Sequence, residues 1–137
     1  MGSAARYAGE SLLELLEARD GVVCAVGAGG KKSLLRYLAA AHPGRVALTA
    51  TVFMTHIPAD AGFAVAVAAD ADLPDAVARL DAAARVAYAC PSEKPDRWAG
   101  ASPATIERIH REGVFAATYV KADGARMRWV KAPADDE

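Results

Sequence analysis

Residues 21–41, GVVCAVGAGGKKSLLRYLAAA, constrain this chain more than any other stretch. A continuous apolar run, Gly21 to Val26, passes without a linker into Gly27-Ala28-Gly29-Gly30, then into Lys31 and a segment with leucines at 34, 35 and 38. Such a run, bounded by turn residues, reads as a strand buried on both faces. The leucine spacing predicts a helix from Lys32 to Ala41 with one inward stripe. A strand that becomes a helix through a short glycine turn is half of a βαβ unit, which commits the chain to a parallel sheet covered by helices.

The rest of the sequence repeats that alternation. Ser11 to Ala18 reads as a helix, with Ser11 and Glu14 at capping-box spacing and Leu12, Leu15 and Leu16 as its apolar stripe. Strands are expected at Arg45–Thr49, Phe63–Ala68, Arg85–Ala89 and Val114–Lys121. Asp72 opens a helix with Leu73, Ala76, Val77 and Leu80 on one face; Ser102-Pro103 opens another that Gly113 closes. A long loop holds Met54, His56 and Pro58, and a polar loop from Cys90 to Gly100 holds Lys94, Arg97 and Trp98. Ala122 to Ala125 is a turn, and Arg128 to Lys131 a short terminal strand. The expectation is a three-layer α/β domain with a mostly parallel sheet, of the P-loop NTPase-like kind, over residues 1–137.

Composition narrows the function classes. At 53% hydrophobic residues, 137 residues suffice for one packed core. Sixteen basic against seventeen acidic residues leave a net charge of −1, without the electrostatic footprint of a general nucleic-acid binder. Cys24 and Cys90 sit in apolar runs and read as buried small hydrophobes; there is no CxxC pair, and His42, His56 and His110 lie far from either in sequence, which argues against zinc. His56 and His110 read as surface residues. No run approaches membrane-spanning length and no signal peptide is evident, so the expected location is the cytoplasm and no membrane partner is expected.

The glycine turn carries the chemistry. Glycines let backbone approach an anion, N–H groups at a helix start point at it, and Lys31 adds a positive charge for outer phosphates. A ligand-free turn would need fewer glycines and no lysine. The loop departs from the general pattern G-x-x-x-x-G-K-[ST], with Ala25 at the first glycine and Lys32 at the hydroxyl position, and from the dinucleotide pattern as well. In parallel sheets ligands bind beyond the carboxyl ends of strands. That selects the glycine loop, Thr49–Thr51, the loop after Ala89 and the turn after Lys121. Thr49 and Thr51 share a strand face and are candidate phosphate donors. Lys94, Arg97 and Trp98 suit a base or a second anion, or a solvated loop anchored by one tryptophan. Asp123, beside Gly124, is the remaining acid for ordering water or metal, or an ordinary Asp-Gly turn; Arg126, Arg128 and Lys131 follow it.

Several of these segments together resemble the YqeC family, whose members are accessory proteins of selenium-dependent molybdenum hydroxylases implicated in selenium cofactor biosynthesis. The family loop, roughly VGAGGKTS, is similar to Val26-Gly27-Ala28-Gly29-Gly30-Lys31-Lys32-Ser33; the shorter G-x-x-G-K spacing within it resembles the Mur-ligase type. Thr49-Ala50-Thr51 resembles the threonine-rich end of the family's second strand, and residues 94–106 a stretch of the type K-x-x-G-x-x-P, with longer spacing here. Val120-Lys121-Ala122-Asp123-Gly124-Ala125 and Val130-Lys131-Ala132-Pro133 match its late V-E-A-D-G-A and L-K-A-P. The resemblance implies ATP or GTP as ligand on Gly27 to Ser33, Thr49, Thr51 and Lys121, with Lys31 and Asp123 as the chemical groups. It also implies a molybdenum hydroxylase or its cofactor pathway as partner, and a form shorter than full family members. Two departures stand out: Lys32 replaces the threonine whose hydroxyl normally ligates Mg²⁺, and Lys121 replaces the glutamate. Ser33 is a poor substitute, since one helical step turns a side chain by about 100°. The ammonium groups then either take over the metal's charge role or mark lost catalysis, or point to solvent. The expectation is a nucleotide-phosphate binder with weak or absent hydrolysis; the alternatives are a non-catalytic partner- or anion-binding module and a small-molecule phosphotransferase.

Overall fold

The computed structural model describes residues 12–27 and 29–122. Its strands are β1 (Gly21–Ala25), β2 (Val46–Ala50), β3 (Met54–Thr55), β4 (Ala64–Val67), β5 (Arg85–Ala89), β6 (Arg97–Trp98) and β7 (Ala117–Lys121). Its helices are α1 (Lys31–Ala41), α2 (Leu73–Ala78), preceded by a 3₁₀ turn over Asp70–Asp72, and α3 (Pro103–Glu112). Five strands form one sheet in the order β1-β7-β2-β5-β4, with every neighbouring pair parallel. The three-layer α/β architecture read from the sequence is the architecture observed.

Alternate residues of the central strands feed two cores, as strand geometry requires. On one face Leu35, Leu38 and Ala39 of α1 pack with Leu48, Ala50, Ala87, Ala89 and Tyr119. On the other, Leu73 and Val77 of α2 and Ile106 and Ile109 of α3 pack with Ala47, Val86, Tyr88 and Val120. Strands β2, β5 and β7 are buried on both faces, while β1 and β4 lie at the sheet edges.

Edge position overturns one expectation. β1 is not buried on both faces: Val22 is 42% exposed and Cys24 is exposed, alternating with half-buried Val23 and Ala25. Cys90, also expected buried, is half-buried just past β5. Among the described residues the N-terminal helix covers 12–15, and its stripe is shifted: Leu13 is buried, Leu15 and Leu16 are exposed. Ser11 of the expected capping box lies outside the described residues. The two expected loops pair with each other: Met54 and Thr55 of β3 run antiparallel to Trp98 and Arg97 of β6. Gly100 seals this ribbon onto β2, because a Cβ there would fall 2.2 Å from the Thr51 carbonyl carbon.

Polar clamps hold the frame. The Arg45 guanidinium donates to the carbonyls of Gly113, Leu80, Asp81 and Ala83 and lies 4.5 Å from the Phe115 ring centroid. Asp70 accepts from the Ser102 N–H (2.7 Å), Ser102 Oγ (2.9 Å) and Thr105 Oγ1 (2.7 Å), tying the 3₁₀ turn to the start of α3. His42 Nδ1 accepts from the Gly44 N–H, so Nε2 is the donor to the Arg19 carbonyl. His110, expected at the surface, is half-buried with Nδ1 2.8 Å from Thr118 Oγ1, and burial lowers its pKa.

Candidate functional site

Register brings the carboxyl ends of three strands level. Lys121 pairs with Ala25 of β1 on one side and with Ala50 of β2 on the other. Two further bonds carry the ladder past the strand ends: the Thr51 N–H donates to the Lys121 carbonyl and the Ala122 N–H to the Ala25 carbonyl, both at 3.0 Å. The glycine loop, Thr51 and Lys121 therefore share one edge, as the carboxyl-end rule requires.

The loop is built by conformation. Gly27 has φ 103° and Gly30 φ 89°, values that a side chain would strain. Gly30 is the N-cap of α1, with no side-chain hydrogen bond to the cap, and the first turn of the helix contains no acid. Lys31, the first helical residue, is buried at 7% exposure, and its ammonium curls back to donate to the Gly27 carbonyl. A buried lysine closing a glycine loop is a charge held in place, whatever lies against it. Gly29 and Gly30 are open to solvent; Ala28 lies outside the described residues. Ser33 is exposed, a helical step from Lys32.

The two lysines that depart from the family pattern do not project freely. The Lys32 ammonium donates to Thr55 Oγ1 at 2.5 Å and the Lys121 ammonium to the Phe53 carbonyl at 3.0 Å, so both reach the segment leading into the β3–β6 ribbon. Thr49 is fully buried with its hydroxyl on the Tyr88 carbonyl at 2.7 Å, which commits it to the sheet rather than to the edge. Thr51 stands at the edge, its hydroxyl 3.2 Å from the Ala122 carbonyl. Asp123 and the basic residues at 126, 128 and 131 lie outside the described residues.

Phe53 and Thr55 are the residues of this edge that sequence reasoning did not name; from sequence, Met54 and His56 read as part of a loop. Phe53 is 41% exposed with the Lys94 ammonium 3.8 Å from its ring centroid, and the His56 ring lies 4.6 Å from that of Trp98. Two-residue strands leave no periodic trace, so no sequence signal marked them. On the opposite sheet face a groove of about 780 Å³ lies between β1 and the start of α3, lined by Val22, Cys24, Val52, Pro103, Ile106 and Glu107 among others.

The polar side chains described along this edge are cations and hydroxyls: Lys31, Lys32 and Lys121 with Thr51 and Thr55. Among the described residues, no group of three or more His, Cys, Asp or Glu side chains is placed to hold a metal, and no helix is long and apolar enough to cross a membrane.

Fold and edge together define an α/β protein with a parallel sheet and a glycine-lysine turn at its carboxyl end. Within that class the chain belongs to the YqeC protein family, whose model matches residues 23–137, from the middle of β1 through the loop and β7 onward. No curated protein and no solved structure matches it.

Proposed function

We propose that the protein binds the phosphates of a nucleoside triphosphate, ATP or GTP, on the loop from Gly27 to Lys32, and that it hydrolyses the nucleotide weakly or not at all. The carrying observation is the loop itself: two glycines at positive φ, a helix start whose N-cap is a glycine and whose first turn holds no acid, and a buried lysine folded onto the loop. Backbone N–H groups would cradle the phosphates, and Lys31 would neutralise the terminal ones. Lys32 and Lys121 would supply positive charge where relatives carry a metal-binding hydroxyl and an acid, so binding does not require Mg²⁺. Asp123 would position water if chemistry occurs. The family resemblance points to a molybdenum hydroxylase, or an enzyme of its selenium cofactor pathway, as partner in the cytoplasm.

Titration calorimetry with ATP and GTP, with Mg²⁺ and with EDTA, tests the reading. The expected result is micromolar-to-millimolar affinity that survives EDTA. No heat with either nucleotide under both conditions would refute it and leave the partner-binding module, which affinity capture of a metabolic enzyme would then support. The phosphotransferase alternative requires Mg²⁺-dependent turnover.

A further inference from the structure

Two exposed rings, Phe53 and His56, flank β3 at the carboxyl edge of the sheet. Met54 and Ile57 anchor its segment inward at 2% and 7% exposure, while Phe53 and His56 turn outward. Four strand residues in two pairs are far too few to hold a ribbon by themselves. It is held by the Cys90–Ala99 bridge, by the tight seat of Gly100 on Thr51, and by Lys32 and Lys121 reaching Thr55 and Phe53. The Lys32 and Lys121 side chains thus tie the segment that carries Phe53 to the carboxyl edge of the sheet, where the glycine loop lies. Lys94 stands over Phe53, and Arg97 lies in β6 with the exposed Asp96 carboxylate 4.0 Å from its guanidinium.

We propose that the exposed rings of Phe53 and His56, on the segment tied to the strand ends by Lys32 and Lys121, form a subsite for a planar heteroaromatic ring beside the phosphate cradle. Ring faces recognise planar heterocycles by stacking with little dependence on their substituents, and the surrounding cations favour a ring that carries or accompanies negative charge. The inference rests on the phosphate reading above. The ring comes either from the base of the nucleotide whose phosphates occupy the loop, or from a second heteroaromatic molecule bound next to it.

Calorimetry at constant ionic strength separates these sources. Inorganic tripolyphosphate probes the loop alone, ATP probes loop and ring together, and adenosine titrated into tripolyphosphate-saturated protein probes a separate ring. ATP binding about tenfold tighter than tripolyphosphate, with the gain lost in F53A/H56A and tripolyphosphate affinity unchanged, supports the first source. Adenosine binding to the saturated wild type, lost in the same variant, supports the second. In either case ring-proton NMR signals of Phe53 and His56 in the wild type shift on binding, a readout that needs no variant. Tripolyphosphate binding without any ring gain, adenosine binding or ring-proton shift overturns the subsite and leaves the phosphate reading standing. Absence of tripolyphosphate binding overturns both.

Discussion

Replacing Lys31 by methionine separates the charge of the loop from its packing. The lysine stem is buried, and methionine keeps that apolar volume while deleting the ammonium. A phosphate oxygen about 4 Å from a unit charge gains about 4 kcal/mol at an effective dielectric of 20. The ammonium already donates to the Gly27 carbonyl, and a hydrogen bond from a charged donor is worth about 1.5–3 kcal/mol. Phosphate binding therefore exchanges partners, and the net advantage of Lys31 is about 2 kcal/mol, or roughly 30-fold in affinity. Because Lys31 is buried, the difference should persist at high salt better than contributions of exposed lysines, which are screened. The assay is ATP calorimetry on wild type and Lys31→Met at two ionic strengths, with thermal unfolding as the control for folding. Affinity of the variant within threefold of wild type, in a protein of unchanged stability, would refute the reasoning.

Restoring the family residues in K32T/K121E should make ATP binding sensitive to EDTA and raise hydrolysis above wild type; a variant with no gain in either measurement would mean that these two positions are not where the metal site was lost. Asp70→Ala should lower stability at pH 7 by about 2 kcal/mol in denaturant unfolding, since three hydrogen bonds to a half-buried carboxylate are lost. Hydrogen bonds from Ser102 and Thr105, the Ser102 N–H foremost, hold the Asp70 pKa below its ordinary value. The folded state therefore binds this proton less readily than the unfolded chain, and the contribution is present above about pH 4 and lost as pH falls through the folded value, so the gap between wild type and variant should narrow at pH 3. Cys24 on the β1 edge should react with a thiol reagent faster than Cys90, whose pKa is raised by burial and by Asp70; equal rates measured on the single-cysteine variants would contradict the exposure of β1.

The frame was legible because long-range packing and local pattern agree there. β2, β5 and β7 are central strands, so their apolar runs are as continuous as parallel strands demand. β1 carries the same kind of run and misled for that reason: nothing local distinguishes an apolar strand at the edge from one in the middle, and strand order is fixed by the whole sheet. The first helix misled in the same way. Leu12, Leu13, Leu15 and Leu16 offer more than one stripe, and the position of the sheet selects Leu13. At the edge, the glycine loop was readable from residue type, because positive φ needs glycine. The destinations of Lys32 and Lys121 were not, since they depend on a ribbon joining segments about 40 residues apart.

Those destinations change what the two lysines mean. At position 32 a threonine hydroxyl is too short to reach Thr55, and at position 121 a carboxylate would meet the Phe53 carbonyl with repulsion instead of a hydrogen bond. The side chains that would rebuild a metal site are thus the ones that untie the ribbon from the strand ends. On the proposed reading, Lys32 and Lys121 stand where a cation site would be and at the same time tie residues 53 and 55 to the strand ends. A phosphoryl-transfer site needs a metal and room for an attacking group, whereas a site that only holds a ligand needs neither. The same two lysines that lower the expectation of hydrolysis therefore raise the expectation of a segment held in place beside the strand ends. Backbone hydrogen exchange at Met54 and Thr55 should accelerate in K32T/K121E in step with any gain in metal dependence, and metal dependence gained with the ribbon unchanged would break that link.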